Sequence, residues 1–265
     1  MRLFIVFTML IGFMSFGFAQ EPVNQTDSNG LKQGHWIGHY PNGNIQYEGT
    51  FVDGEPVGEM KRYYPNGQLQ ARMHYVPGSD SIIAEIYNKE GKRTAKGVFL
   101  GKKKSGTWTY FDGDRIVSCE HYLDGLHMGT DTIWFKSGKP ARTSEWEAGK
   151  MNGVVREYYP DGKLKFEMVY VNGKRDGLTV AYFENGDPEI EGNYVNNLRN
   201  GDWKFYNQDG TLKYTLKYDK GVLLNSDVLN KAQQKEFNEM EKNREVLKDP
   251  EKYRNDPSGY MAPRR

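Results

Sequence analysis

The chain has 265 residues and a formal net charge of +1, from 36 basic and 35 acidic side chains. That balance argues against nucleic acid or anionic lipid held by bulk electrostatics. Hydrophobic residues make up 37% and aromatic residues 14%, which suits pleated, half-buried strands better than a thick aliphatic core.

Residues 1–19 read as a cleavable export leader. Arg2 precedes the apolar run Leu3 to Phe18, and Gly17 and Ala19 place small residues at the cleavage-defining positions before Gln20. The run is short for a membrane span of about 20 residues. The expected location is therefore the periplasm or the cell surface, and no cysteine lies near the cleavage point to take a lipid. Loss of Arg2 lowers 36 basic side chains to 35, equal to the acidic count. Residues 20–31 are polar and read as a flexible lead-in.

Residues 32–222 repeat. Opening glycines stand at Gly34, Gly58, Gly106, Gly129, Gly153, Gly177 and Gly201, mostly 24 residues apart. Ile82 fills the slot missing between Gly58 and Gly106, and the step from Gly106 to Gly129 is one residue short. Turn glycines keep the same step at Gly43, Gly67, Gly91, Gly138, Gly162, Gly186 and Gly210, with Gly113 in the short repeat. A fixed period of this length marks a repeat architecture. Asn-Gly and Asp-Gly between apolar runs predict hairpins with type I′ turns. Leu164, Phe166, Met168 and Tyr170 alternate with Lys165, Glu167 and Val169, the period of a strand with one dry face. The expected fold is all-β: an elongated, twisted antiparallel sheet of about eight tandem hairpins with a short C-terminal helix.

Two aromatic series follow the period. Phe51, Tyr75, Phe99, Tyr122, Trp146, Tyr170, Tyr194 and Tyr218 lie on second strands. Tyr63, Tyr87, Phe111, Trp134, Tyr158, Tyr182 and Tyr206 lie five residues after every opening position but the first, where His39 fills the slot beside Tyr40. The two are expected to interleave into ladders of cross-strand contacts. The second series is also the candidate partner-binding groove, because tyrosine and tryptophan give large contact area at low entropy cost. Pro188 is acceptable only as the first residue of its strand or on an edge.

Beyond Gly221 the pattern changes. Residues 225–248 lack glycine and proline, Ser226 or Asp227 can cap a helix, and Val228, Leu229, Ala232, Phe237, Met240 and Leu247 form an incomplete apolar stripe. That helix is expected to cap the sheet or to pair with another copy. Residues 249–265, with Pro250, Pro257 and Pro263, read as a disordered tail.

Chemistry leaves little trace. His35 and His39 sit about 13 Å apart on a strand. His121 and His127 flank a turn and are read as a solvated pair without ligand spacing for a metal. Cys119 is expected to be buried and inert. No nucleophile elbow, dinucleotide fingerprint or phosphate loop is present. The reading is of a protein with no catalytic residues, cofactor or metal.

The pattern Gly-x-x-x-x-Tyr-Tyr-Pro-Asn/Asp-Gly-x-Leu is carried best by Tyr63-Tyr64-Pro65-Asn66-Gly67, Tyr158-Tyr159-Pro160-Asp161-Gly162, Tyr182-Phe183-Glu184-Asn185-Gly186 and Phe205-Tyr206-Asn207-Gln208-Asp209-Gly210. It resembles the variant membrane occupation and recognition nexus (MORN) repeat, and more closely the repeats of the YwqK-type antitoxin family, over roughly residues 30 to 222. The resemblance implies a row of antiparallel hairpins acting as a scaffold. The functional expectation is an exported, non-enzymatic scaffold binding a protein of the bacterial cell envelope, with self-association through the helix as a further route. The alternatives are an antitoxin or immunity-like protein with one cognate partner, and glycan or peptidoglycan binding along the tyrosine groove.

Overall fold

A computed structural model of the chain describes residues 22–244; the expected leader at 1–19, the end of the expected helix at 245–248 and the tail at 249–265 lie outside them. The chain divides into two compact bodies, Met1–Lys92 and Arg93–Arg265.

The first body contains the strands Gln25–Thr26, Lys32–His39, Ile45–Val52, Glu55–Tyr63, Leu69–Tyr75 and Ser81–Tyr87, each antiparallel to the next. The polar lead-in is thus partly ordered: Gln25 pairs with Gln33 and Thr26 with Lys32, extending the edge of the sheet. The second body begins with Arg93–Leu100, Lys103–Asp112 and Arg115–Leu123. In the shortened repeat the next strand is broken, and both Leu126–His127 and Gly129–Trp134 pair with Arg115–Leu123. Regular hairpins follow from Pro140–Glu147 to Leu212–Asp219, with Pro188 the first residue of its strand. The short strand Val222–Leu223 and the helix Ser226–Arg244 complete the body. The fold is therefore an antiparallel, unclosed sheet of hairpins with one C-terminal helix, as the period predicts.

The turns differ from expectation. In Tyr64-Pro65-Asn66-Gly67 the Gly67 amide donates to the Tyr64 carbonyl at 2.9 Å, and Tyr64 N–H donates to the Gln68 carbonyl at 2.8 Å. Gly67 has φ +86°, while Asn66 is outside the positive-φ set. This is a type I turn followed by one left-handed residue, a three-residue hairpin loop. Proline fits the second position of such a turn, and the Asn66 side chain accepts the Gln68 amide at 3.1 Å. The type I′ conformation falls instead at the connections between repeats. Asp53 and Gly54, and likewise Asn172 and Gly173, have positive φ in succession.

The opening glycines Gly58, Gly106, Gly153, Gly177 and Gly201 sit at bulges. Gly49 pairs with Met60 but Thr50 pairs with Val57, so Gly58 and Glu59 are extra on their strand, and Gly58 takes φ +64°. An inserted residue of this kind bends the strand and sharpens its twist.

The core lies along one face. Trp108, Val155, Met168, Trp203 and Leu216 are buried there. Gly97 and Gly192 face the rings of Trp108 and Trp203; a Cβ at those glycines would lie 2.3 and 2.2 Å from ring atoms. The indole thus packs flat on bare backbone, covering strand surface that no side chain occupies. At the C-terminal end, Val228 and Leu229 of the helix pack against the cluster of Met168, Tyr194, Trp203 and Leu216. Farther along the stripe Ala232 is half-buried, and Phe237 and Met240 are 54% and 64% exposed.

Candidate functional site

The tyrosine row named from the sequence lies on the face opposite the core. Tyr47 and Phe51 make a ring contact on the core side, and Glu48 between them in register points the other way. The Tyr63 hydroxyl donates to Glu48 Oε1 at 2.6 Å. The same arrangement recurs at the far end of the second body. Gly192 faces Trp203, its neighbour Glu191 faces outward, and the Tyr206 hydroxyl donates to Glu191 Oε2 at 2.8 Å. Tyr87 donates to Glu85 Oε2 at 3.0 Å. Arg93 lies over the Phe111 ring at 4.1 Å, and Arg156 beside Tyr158 pairs with Glu167 at 2.6 Å. All seven residues, Trp134 and Tyr182 included, are half-buried.

The two aromatic series therefore do not interleave. The second-strand series is on the core side, as in the contacts of Trp36 with Phe51, Phe99 with Trp108 and Tyr194 with Trp203. Parity explains the separation: Gly58 pairs with Tyr75, and Tyr63, an odd number of residues further along the same strand, falls on the other face.

Local electrostatics hold the outward tyrosines in each body. The Tyr63 hydrogen bond holds Glu48 below the usual carboxylate range. Burial, then the Glu48 carboxylate, pushes the Tyr63 phenol up to about 12. At Tyr206 the bond to Glu191 raises the phenol, and at Tyr182 burial does so. The Tyr63 and Tyr206 hydroxyls stay protonated at neutral pH and are turned onto Glu48 and Glu191.

A second periodic feature escaped the sequence reading. Two residues before Gly34, Gly106, Gly177 and Gly201, a cation covers the core aromatics. Lys32 lies 4.6 Å from the Trp36 ring and 4.8 Å from that of Phe51. Lys104 lies 4.7 Å from Trp108, Arg175 4.5 Å from Tyr194 and Arg199 4.5 Å from Trp203. Each such contact is worth about 0.5–2 kcal/mol. The signal was present as Lys/Arg-x-Gly, but on a strand it reads as an ordinary solvated charge.

In the shortened repeat the covering residue is His127, set between Tyr122 and Trp146 with ring centroids 4.4 and 4.7 Å away. A polar cluster surrounds it. Glu120 Oε2 accepts from the Tyr110 and Tyr122 hydroxyls, each at 2.6 Å. Lys104 Nζ donates to Tyr110 at 2.6 Å. His127 Nε2 is 2.6 Å from the Tyr122 hydroxyl, and its Nδ1 is 3.0 Å from the buried Asp131. The two histidines read as a solvated pair instead converge on Asp131, with His121 Nδ1 at 4.0 Å. Burial acts to raise the Glu120 carboxyl, but the two phenol bonds outweigh it and the group is lowered. Tyr122 is pushed up to about 12 by burial and then by Glu120, and burial raises Asp131. A cleft of 320 Å³ adjoins Glu120, His127, Asp131, Arg142 and Trp146.

Within the cluster Glu120 joins Tyr110 and Tyr122, while His121 Nδ1, His127 Nδ1 and Arg142 Nε are buried with no hydrogen-bond partner among the described residues. Cys119 points to the opposite face, half-buried rather than buried, with Sγ 3.6 Å from Thr109 Oγ1. Among the described residues no group of three His, Cys, Asp or Glu is placed to hold a metal ion.

Repeat-to-repeat ties complete the picture. The second tyrosine of the turn motif reaches the next repeat: Tyr40 donates to the Tyr63 carbonyl at 2.8 Å, Tyr64 to Tyr87 at 2.9 Å and Tyr159 to Tyr182 at 2.7 Å. The carbonyls that position the outward row are thus held from the preceding hairpin.

The family model described as "MORN repeat variant" matches residues 32–53, 56–76, 151–172, 175–196 and 199–220. Five of the repeats therefore carry the MORN variant pattern. No curated protein matches the chain. Among solved structures, the GtfA/B complex is 16% identical with a TM-score of 0.28, covering 42% of this chain and 21% of that one. The pneumococcal O-GlcNAc transferase GtfA in complex with UDP and GlcNAc is 12% identical with a TM-score of 0.23, covering 38% and 18%. TarM is 12% identical with a TM-score of 0.21, covering 45% and 19%. This chain thus spans about a fifth of the length of those solved chains.

Proposed function

We propose that the chain is an exported, non-enzymatic repeat scaffold that holds a protein partner of the bacterial cell envelope against its outward tyrosine row. One observation carries the reading. The hydroxyls of Tyr63, Tyr87 and Tyr206 are engaged by Glu48, Glu85 and Glu191, while the rings of the series stay half-buried on the outward face of each body. Rings locked in one orientation contribute contact area at little further entropy cost. Ties from the preceding turn hold the backbone at Tyr63, Tyr87 and Tyr182. Export rests on the leader-like residues 1–19, and the scaffold role on the MORN variant repeats.

The test is affinity capture with the full chain from envelope fractions, compared with Tyr158→Ala combined with Tyr182→Ala. A single stoichiometric protein, lost in the double variant while the melting temperature holds, supports the reading. Recovery of glycan alone would overturn it. N-terminal sequencing of the mature protein should begin at Gln20.

A further inference from the structure

The shortened repeat breaks the chemistry of the core. Two residues after their opening glycines, Trp108, Val155 and Trp203 are buried apolar side chains. The same position after Gly129 is Asp131, and only 7% of it is exposed. Two residues before the second-strand aromatic, Met168 and Leu216 are buried in the regular repeats. Before Tyr122 that position is Glu120. Where Lys104 and Arg199 cover rings, two residues before an opening glycine, this repeat has His127. Its cover is thus the side-chain type that changes charge near neutrality, and it faces two acids.

The contacts of His127 need one proton more than a neutral imidazole supplies. Nε2 is 2.6 Å from the Tyr122 hydroxyl and Nδ1 is 3.0 Å from Asp131 Oδ2. The Tyr122 hydroxyl has a single proton and also stands 2.6 Å from Glu120 Oε2. If that proton goes to Glu120, Nε2–H must donate to the phenol oxygen, and a neutral ring then turns a lone pair towards the Asp131 carboxylate. If Nδ1 carries the ring proton instead, Nε2 takes the phenol proton, and Glu120 faces a phenol lone pair at the same short distance. With one further proton held between His127 and Asp131, both contacts are favourable at once. That proton belongs to the pair rather than to either side chain. The Nδ1 contact is an ion pair without an aligned hydrogen bond, so its sign depends on the proton.

The pair spans the break in the strand. His127 lies on Leu126–His127 and Asp131 on Gly129–Trp134, and both pieces pair with Arg115–Leu123, which carries Glu120 and Tyr122. The Met128 amide between them donates to the His121 carbonyl at 2.9 Å, and the His121 amide donates to Asp131 Oδ1 at 3.0 Å. The remaining polar groups at the cluster come from three strands. Lys103–Asp112 brings Tyr110 and Lys104, whose Nζ is 3.3 Å from the Tyr122 hydroxyl and 4.0 Å from Glu120. Arg115–Leu123 adds His121, with Nδ1 4.0 Å from Asp131. Pro140–Glu147 adds Arg142, while Lys150–Tyr158 brings only Met151 to the cleft.

We propose that the shortened repeat is a pH-sensitive joint: the proton shared by His127 and Asp131 clamps both pieces of the broken strand onto Arg115–Leu123, and its loss releases them. The folded chain binds this proton more tightly than the unfolded chain does. Stability of the joint therefore falls as pH rises through the range in which histidine changes charge, about pH 5–8. The joint does not depend on the scaffold reading.

The test follows the full chain by amide exchange between pH 8 and pH 5.5. The His121 and Met128 amides, which close the joint, should exchange about ten-fold more slowly at the lower pH after correction for intrinsic rates. His127→Phe keeps a ring between Tyr122 and Trp146 and should remove the step, as should Asp131→Asn. His121→Gln should leave it in place. Nuclear magnetic resonance of the parent chain gives a readout that needs no variant to fold: the His127 ring nitrogens and the Asp131 carboxyl carbon should move together in one titration step. The proposal is overturned if the parent shows no step or one of opposite sign, if the step survives His127→Phe, if it disappears with His121→Gln, or if the His127 nitrogens titrate without any response at Asp131.

Discussion

The Tyr63 hydroxyl donates to Glu48 Oε1 at 2.6 Å, joining two side chains fifteen residues apart on the outward face. The pair titrates at both ends of the pH scale. Glu48 is held below its ordinary value, so its contribution to stability is complete above the usual carboxylate range and is lost as pH falls through the lowered value. Tyr63 is raised from 10.0 to about 12, so its contribution is complete below 10.0 and is lost as pH rises through about 12. Urea melts across pH should show both limbs, and Tyr63→Phe should flatten both. Unchanged limbs in that variant would count against the pair.

Glycine beneath an indole is a packing requirement. A Cβ at Gly192 would lie 2.2 Å from the Trp203 ring. Gly192→Ala should therefore destabilise by about 1–3 kcal/mol, the cost of overfilling a packed core. Leu212→Ala, at a position 55% exposed, should stay within about 0.5 kcal/mol. Thermal melts of the two variants decide the matter.

The tyrosine tie between repeats is missing where phenylalanine stands. Tyr159 bonds the Tyr182 carbonyl at 2.7 Å; Phe183, at the equivalent position one repeat later, has no hydroxyl to reach the Tyr206 carbonyl. Tyr159→Phe should lose about 0.5–1.5 kcal/mol, and Phe183→Tyr should gain up to a similar amount. Equal stability of both variants and the parent in denaturant titration would remove the tie from the account.

Asn225 shields part of the last sheet edge with two side-chain bonds, to Lys217 and Thr215. Asn225→Ala should cost about 1–3 kcal/mol, the sum expected for two such bonds. It should also promote concentration-dependent association, because the edge is then bare. Light scattering across a concentration series measures the second effect independently of the first.

Much of the fold was legible because its determinants are local. The recurring glycines mark positions where the backbone needs positive φ, as at Gly67 and Gly58, and no other residue supplies that conformation as readily. Alternation along Leu164–Val171 gave the strand and its dry side. The turn type was misplaced because Asn-Gly serves both a type I turn with a left-handed glycine and a type I′ turn. The flanking hydrogen bonds, not the dipeptide, separate the two.

The candidate site was less legible. Its seven aromatics were named from spacing alone, and spacing by itself determined the period, the hairpins and the position of the C-terminal helix. Tertiary structure alone decided that Tyr63 and Tyr206 face Glu48 and Glu191 while Phe51 and Tyr194 face the core. It also decided that Lys32 and Arg199 cover rings and that His121 and His127 meet at Asp131. The bulges shift the register between neighbouring strands, so which side chains meet across the sheet depends on the partner strand, which the period does not reveal.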